Sequence, residues 1–219
     1  MAADDLKAFI SYSHKDRRLA RHIKDCLVSF GVDVFLAHED IEPSAEWARE
    51  IKERLLTCHV FLPLLTRAFP QSQWTDQETG MAVAAEKLIV PLKVDWDPYG
   101  FIGAIQALKV DPDNPAEPCQ RIIRTIAKHP TCRERFLDRL IRMFSQSGTF
   151  EAAGSYAGYL LDFEGYSPQQ LRRVLLAAIE NDQIHNSFKA RRRLSEFVEI
   201  YKRDIDPALV KKAKAAMGD

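Results

Sequence analysis

The sequence predicts an α/β protein: a five-stranded parallel sheet with helices on both faces, followed by a small all-α domain. Two observations carry the first part. Short apolar runs alternate five times with helical segments across residues 7–128, joined by short connections. Those runs are nearly continuous in apolar residues, as in strands covered on both faces. A third observation sets the boundary: from about Thr131 strand patterns stop and only helical spacing continues. The expected domains are residues 1–129 and 130–219.

Residues 7–13 read as a first strand ending in small polar residues. A helix over 16–30 aligns Leu19, Ile23, Leu27 and Phe30, with Gly31 as its stop. Residues 32–36 form a second strand, and 37–43 a polar loop. Ser44 caps a helix in which Trp47, Ile51 and Leu55 recur every four residues. The third strand, 59–65, contains Pro63, which cannot donate to a ladder, so an early end or a bulge is expected. A helix beginning near Thr75 leads to a fourth strand over 88–94. A fifth strand over 105–110 and a helix over 118–128 close the domain.

Beyond it, Phe136, Leu140 and Phe144 share one helical stripe, and Ala153, Tyr156, Ala157 and Leu160 share another. Ser167-Pro168-Gln169-Gln170 is a capping box with proline at the first helical position. Ser187 opens a helix expected to turn Phe188, Phe197, Val198 and Tyr201 inward. Asp206-Pro207 starts the last one, which carries Leu209, Val210 and Ala213. Helix starts roughly every 18 residues suggest stacked helical hairpins.

Composition narrows the function classes. The 31 basic and 31 acidic residues balance to a net charge of zero, so no global field draws nucleic acid or an anionic membrane. The cluster Lys189, Arg191, Arg192 and Arg193 reads as a solvated helix face. Cys26, Cys58, Cys119 and Cys132 show no metal-ligand spacing, and Cys26 and Cys58, at apolar positions, suit small hydrophobes in a reducing compartment. The start lacks the basic and apolar regions of a signal peptide, and no apolar run reaches the ~18 residues of a membrane span. A cytoplasmic location is expected. His22, His59, His129 and His185 have no convergent partners, and no metal is expected. Neither G-x-G-x-x-G nor a P-loop occurs.

The stretch that invites chemistry is residues 73–86. At 3.6 residues per turn, Trp74, Glu78, Met81 and Ala85 share a stripe facing the interior. Three are apolar or small. The fourth is a carboxylate, which is expensive to bury without a partner. Thr75-Asp76-Gln77-Glu78 also matches a capping box, which would make Glu78 purely structural. Ligands of parallel α/β sheets bind beyond the carboxyl ends of the strands. That rule gathers residues 11–13, the 37–43 loop and the loop before the Glu78 helix around one crevice.

Taken together, the N-terminal motifs resemble the TIR (Toll/interleukin-1 receptor) domain family. Phe9-Ile10-Ser11-Tyr12-Ser13 with Lys15-Asp16 looks like its first motif. Phe35-Leu36 before Asp40-Ile41-Glu42-Pro43 looks like its second strand and BB loop. Trp47 with Ile51 and Leu55 is similar to the next helix of bacterial members, and Trp74-x-x-x-Glu78 matches the W-x-x-x-E of members that cleave NAD. The chain departs in having Ala37 where many bacterial members have Asp, and Ser44 where they often have Gly.

The resemblance implies a flavodoxin-like five-stranded sheet and an NAD+ glycohydrolase or cyclase, with Glu78 catalytic and NAD+ as substrate rather than cofactor. It implies assembly with other TIR protomers and a role in immune defence. Tyr12, Ser13 and His14 are candidate substrate contacts or an ordinary strand-to-helix turn. Phe35 is a core residue or stacks on a base. Trp74 walls the pocket or packs in the core. Asp40 holds its loop or meets a second protomer. A non-enzymatic scaffold working through TIR–TIR contacts is the alternative.

Overall fold

A computed structural model describes residues 5–37, 47–114 and 117–218. Its described residues cluster into two compact units that divide between Arg133 and Glu134.

In the first unit, β1 (Lys7–Ser11), β2 (Asp33–Leu36) and β3 (Val60–Leu65) are parallel neighbours, with Phe9 opposite both Phe35 and Phe61. Their runs of Phe, Leu, Val and Ile are buried almost without interruption, as two-sided coverage requires. The fourth strand is split into β4 (Leu88–Ile89) and β5 (Leu92–Lys93), both pairing with β3, and β6 (Leu108–Lys109) lies beyond β5. Spatial order is therefore β2-β1-β3-β5-β6, with β4 completing the fourth position beside β3. This is the doubly wound parallel sheet expected, with its fourth strand in two pieces.

Pro63 neither ends β3 early nor forms a bulge: it lies inside the strand, opposite Ser11. The missing donor is accommodated on the other side, where the fourth strand is interrupted between Ile89 and Leu92, so no intact ladder is lost.

Helix α1 (Arg17–Ser29) follows a 3-10 turn at His14–Asp16 and buries Ala20, Ile23 and Leu27. Gly31 adopts φ 80, the left-handed stop that its glycine permits. Helix α2 (Trp47–Thr57) buries Ile51 and Leu55 under β1 and β3. Residues 38–46, including Asp40 and Ser44, and the side chain of Trp47 lie outside the described residues. Helix α3 (Thr75–Ala84) and α4 (Glu117–Lys128) complete the unit. Cys26 of α1, expected as a small hydrophobe in a reducing compartment, is instead joined to Cys119 of α4 as a disulfide 93 residues apart in sequence. Cys58 and Cys132 are free and buried, and burial pushes the Cys58 thiol up to about 11.

The second unit is all helix. Helix α5 (Pro130–Ser145) carries the division within its first turns and buries Phe136, Leu140 and Phe144. Then come α6 (Phe150–Leu161), α7 (Pro168–Glu180), α8 (Asp182–His185), α9 (Phe188–Tyr201) and α10 (Pro207–Met217). The Ser167–Gln170 capping box is formed in both directions, at 3.2 and 3.0 Å. The helices do not stack as sequential hairpins: α6 packs on α9, and α7 on α10. Phe188, expected inward, is 74% exposed. It opens α9, and the buried stripe of that helix is Ala190, Leu194, Phe197 and Val198, which Phe188 does not share. No described helix is long and apolar enough to cross a membrane.

Candidate functional site

Glu78 stands in the first turn of α3 and is only 2% exposed. Its partner comes from the C-terminal end of β1. The Ser11 hydroxyl donates to Glu78 Oε2 at 2.5 Å, and both groups are buried. The other oxygen, Oε1, is buried with no hydrogen-bond partner among the described residues. Burial pushes the Glu78 carboxyl up to about 7, and the Ser11 hydrogen bond opposes that rise.

The capping reading of Glu78 is not realised. Trp74, not Thr75, is the N-cap of α3, and no side chain caps the helix there. Thr75 lies inside the first turn, where its hydroxyl donates to the carbonyls of Phe69 (2.7 Å) and Ser72 (3.4 Å). A 3-10 turn at Phe69–Gln71 brings those carbonyls round, so the threonine ties the turn to the helix instead of accepting from it. Glu78 is thus held by a strand 67 residues away rather than by its own helix start.

The inward face of α3 differs from the expected stripe. Thr75, Glu78, Thr79 and Ala82 are buried, while Trp74, Met81 and Ala85 are half-buried. Met81 still packs against the cluster of Phe9, Phe35, Phe61 and Ala82. Trp74 sits one residue before the helix, half-buried, and its carbonyl accepts from the Glu78 N–H at 2.9 Å.

The other expected contacts separate into three groups. Tyr12 and Ser13 are buried just past β1, adjoining Ser11 in the chain, whereas His14 is exposed at the start of the 3-10 turn. Phe35 is a core residue: its ring lies 5.3 Å from that of Phe9, and the Arg54 guanidinium covers it at 5.4 Å. Asp40 lies outside the described residues.

Hydrogen bonds fix the strand ends around this site. Thr66, just after β3, donates to Asp16 Oδ2 at 2.6 Å, joining the turns that follow β1 and β3. Burial raises the Asp16 carboxyl above its ordinary value. Tyr99 donates to Asp76 Oδ1 at 2.5 Å, tying the exposed side of α3 to the segment after β5. What results is a carboxylate with one oxygen engaged and one unengaged, at the carboxyl end of a parallel sheet. Such a group can accept hydrogen bonds from a ligand's hydroxyls or stabilise adjacent positive charge. Ser11 is the residue that sequence reasoning did not single out for this task, because no local pattern links it to Glu78.

A family model described as TIR domain matches residues 8–123, more than half of the chain. Among solved structures, the TIR domain of the Toll-related Receptor TRR-2 from Hydra magnipapillata aligns at 16% identity with a TM-score of 0.46. That alignment covers 54% of this chain and 95% of the Hydra chain. No curated protein matches the chain.

Proposed function

The chain belongs to the TIR domain family, and from that premise we propose that it cleaves the nicotinamide–ribose bond of NAD+, with Glu78 as the catalytic carboxylate. The observation that carries this reading is the Glu78 Oε1, which no described residue engages, at the carboxyl end of the sheet. It is supported by the Trp74-x-x-x-Glu78 spacing of NAD-cleaving members.

The chemistry needs little more than one carboxylate. The breaking N-glycosidic bond passes through an oxocarbenium-like state, and the pyridinium leaves as neutral nicotinamide without a general acid. A carboxylate near the ribose accepts its hydroxyls and offsets the developing positive charge. Water then attacks the anomeric carbon, giving nicotinamide, ADP-ribose and one proton. Attack by a nitrogen of the substrate's own adenine instead gives a cyclic ADP-ribose, again with loss of one proton. The active form is the ionised carboxylate, so turnover falls as pH drops through about 7. NAD+ is the substrate, and the product or the depletion of NAD+ would serve immune defence.

A scaffold acting through TIR–TIR contacts is the competing reading. The burial of Glu78 favours it, because substrate reaches a side chain 2% exposed only after the site opens. Assembly with other TIR protomers would supply such an opening. The deciding experiment is nicotinamide release from NAD+ at high protein concentration, wild type beside Glu78→Gln, with the nucleotide product identified by mass. Release that disappears in the variant is expected. Release that persists undiminished removes Glu78 from the mechanism, and no release from the assembled protein leaves the scaffold.

A further inference from the structure

We propose that Ser11 is the positioning residue of Glu78: its hydroxyl, presented from the end of β1, holds the Oε2 edge so that Oε1 meets the substrate. The inference deepens the proposed NAD+ cleavage and rests on that reading.

A Glu side chain has three rotatable bonds, and burial alone does not choose among its rotamers. The hydrogen bond at 2.5 Å does choose, because its donor is fixed by the sheet. Ser11 is the last residue of β1, fully buried, and in register with Pro63 of β3. Its backbone is thereby placed against β3 at the end of the strand, and its hydroxyl reaches Glu78 of α3. The donor is neutral, so it orients the carboxylate without cancelling the negative charge that the reaction uses. A lysine or arginine there would lower the acid strongly and compete with the substrate's cationic ring.

Among the described residues, Ser11 is the one side chain that opposes the effect of burial on Glu78. Arg49, Lys52, Glu53 and Arg54 of α2 and Asp76 of α3 are exposed, and none contributes to the Glu78 shift. β3 and the turns at Phe69–Gln71 and Gly100–Ile102 contribute no charged residue. Burial raises the carboxyl and the Ser11 hydroxyl lowers it. Ser11→Ala therefore leaves Glu78 protonated to higher pH and free to leave its productive rotamer.

The test compares wild type with Ser11→Ala and Ser11→Cys, the second keeping the size and replacing the hydroxyl by a weak donor. Two readouts are taken. The first is infrared titration of the protonated carboxyl band of Glu78, assigned by its absence in Glu78→Gln. The second is the pH profile of nicotinamide release. We expect the Ser11→Ala band to persist to higher pH by about one unit. We expect kcat to fall at least tenfold at pH 7 with KM little changed, and part of the loss to be recovered at pH 9. Ser11→Cys should lie between. An unmoved infrared titration in both variants overturns the proposal, as does a kcat loss that is the same at every pH. If the titration moves while even wild type releases no nicotinamide, the coupling stands and NAD+ cleavage is what fails.

Discussion

At Glu78 the sign of the pH effect follows from burial. The folded carboxyl titrates at about 7 against 4.5 for the free group, so the folded chain binds the extra proton between those values. Stability from this group is therefore full below about pH 4.5 and is lost as pH rises through 7. At 1.36 kcal/mol per unit the full loss is about 3–4 kcal/mol, most of which falls between pH 5 and pH 8.5. Urea unfolding at pH 5 and pH 8.5 should show it directly. Wild type should lose about 2–3 kcal/mol more between those pH values than Glu78→Gln does, since the other titrating groups are shared. Equal losses in the two proteins would mean that Glu78 is not buried as described. On the proposed mechanism, activity and stability would oppose each other at this group: the ionised form that NAD+ cleavage would use is the form that the fold tolerates least.

Among the elements, two capping-box patterns with the same spacing meet different fates. Ser167 with Gln170 forms the box because Ser167 is the N-cap and Pro168 starts the helix. Thr75 with Glu78 does not, because the helix already begins at Thr75 and the threonine hydroxyl is used by the preceding turn. Which residue becomes the cap depends on the chain before it, and here the 3-10 turn decides. Another local rule is reversed where α6 meets α9. Glycine inside a helix ordinarily gives up about 1 kcal/mol to alanine. At Gly154, however, a Cβ would lie 2.8 Å from the Lys189 Cβ, close to the backbone of α9. Gly154→Ala should therefore destabilise the chain by about 1–3 kcal/mol, the range for overpacking. A denaturant midpoint raised above wild type would show that α6 and α9 are less tightly apposed than this. The neighbouring Gly158, with nothing within 4 Å of its added Cβ, is the control, and Gly158→Ala should be neutral or stabilising.

For the whole molecule, we propose that residues 1–129 and 130–219 are separate domains. The second has a core of its own, built on Phe136, Leu140, Phe144, Val174 and Phe197. A fragment of residues 130–219 should give a helical circular-dichroism spectrum and a cooperative melt; a non-cooperative melt would count against its independence. The sequence by itself determined the alternating elements of the first part, the parallel sheet, the all-helical second part, and which residues line most of the core. It could do so because strand and helix burial are written in local periodicity. It also singled out Glu78, because a carboxylate among inward-facing positions is costly enough to be conspicuous. Only the tertiary structure decided that Pro63 is tolerated opposite a break in the fourth strand, that Cys26 meets Cys119, that α6 pairs with α9, and that Ser11 holds Glu78. Each of these joins residues far apart in the chain, and no periodicity within one element records which distant group will stand opposite it.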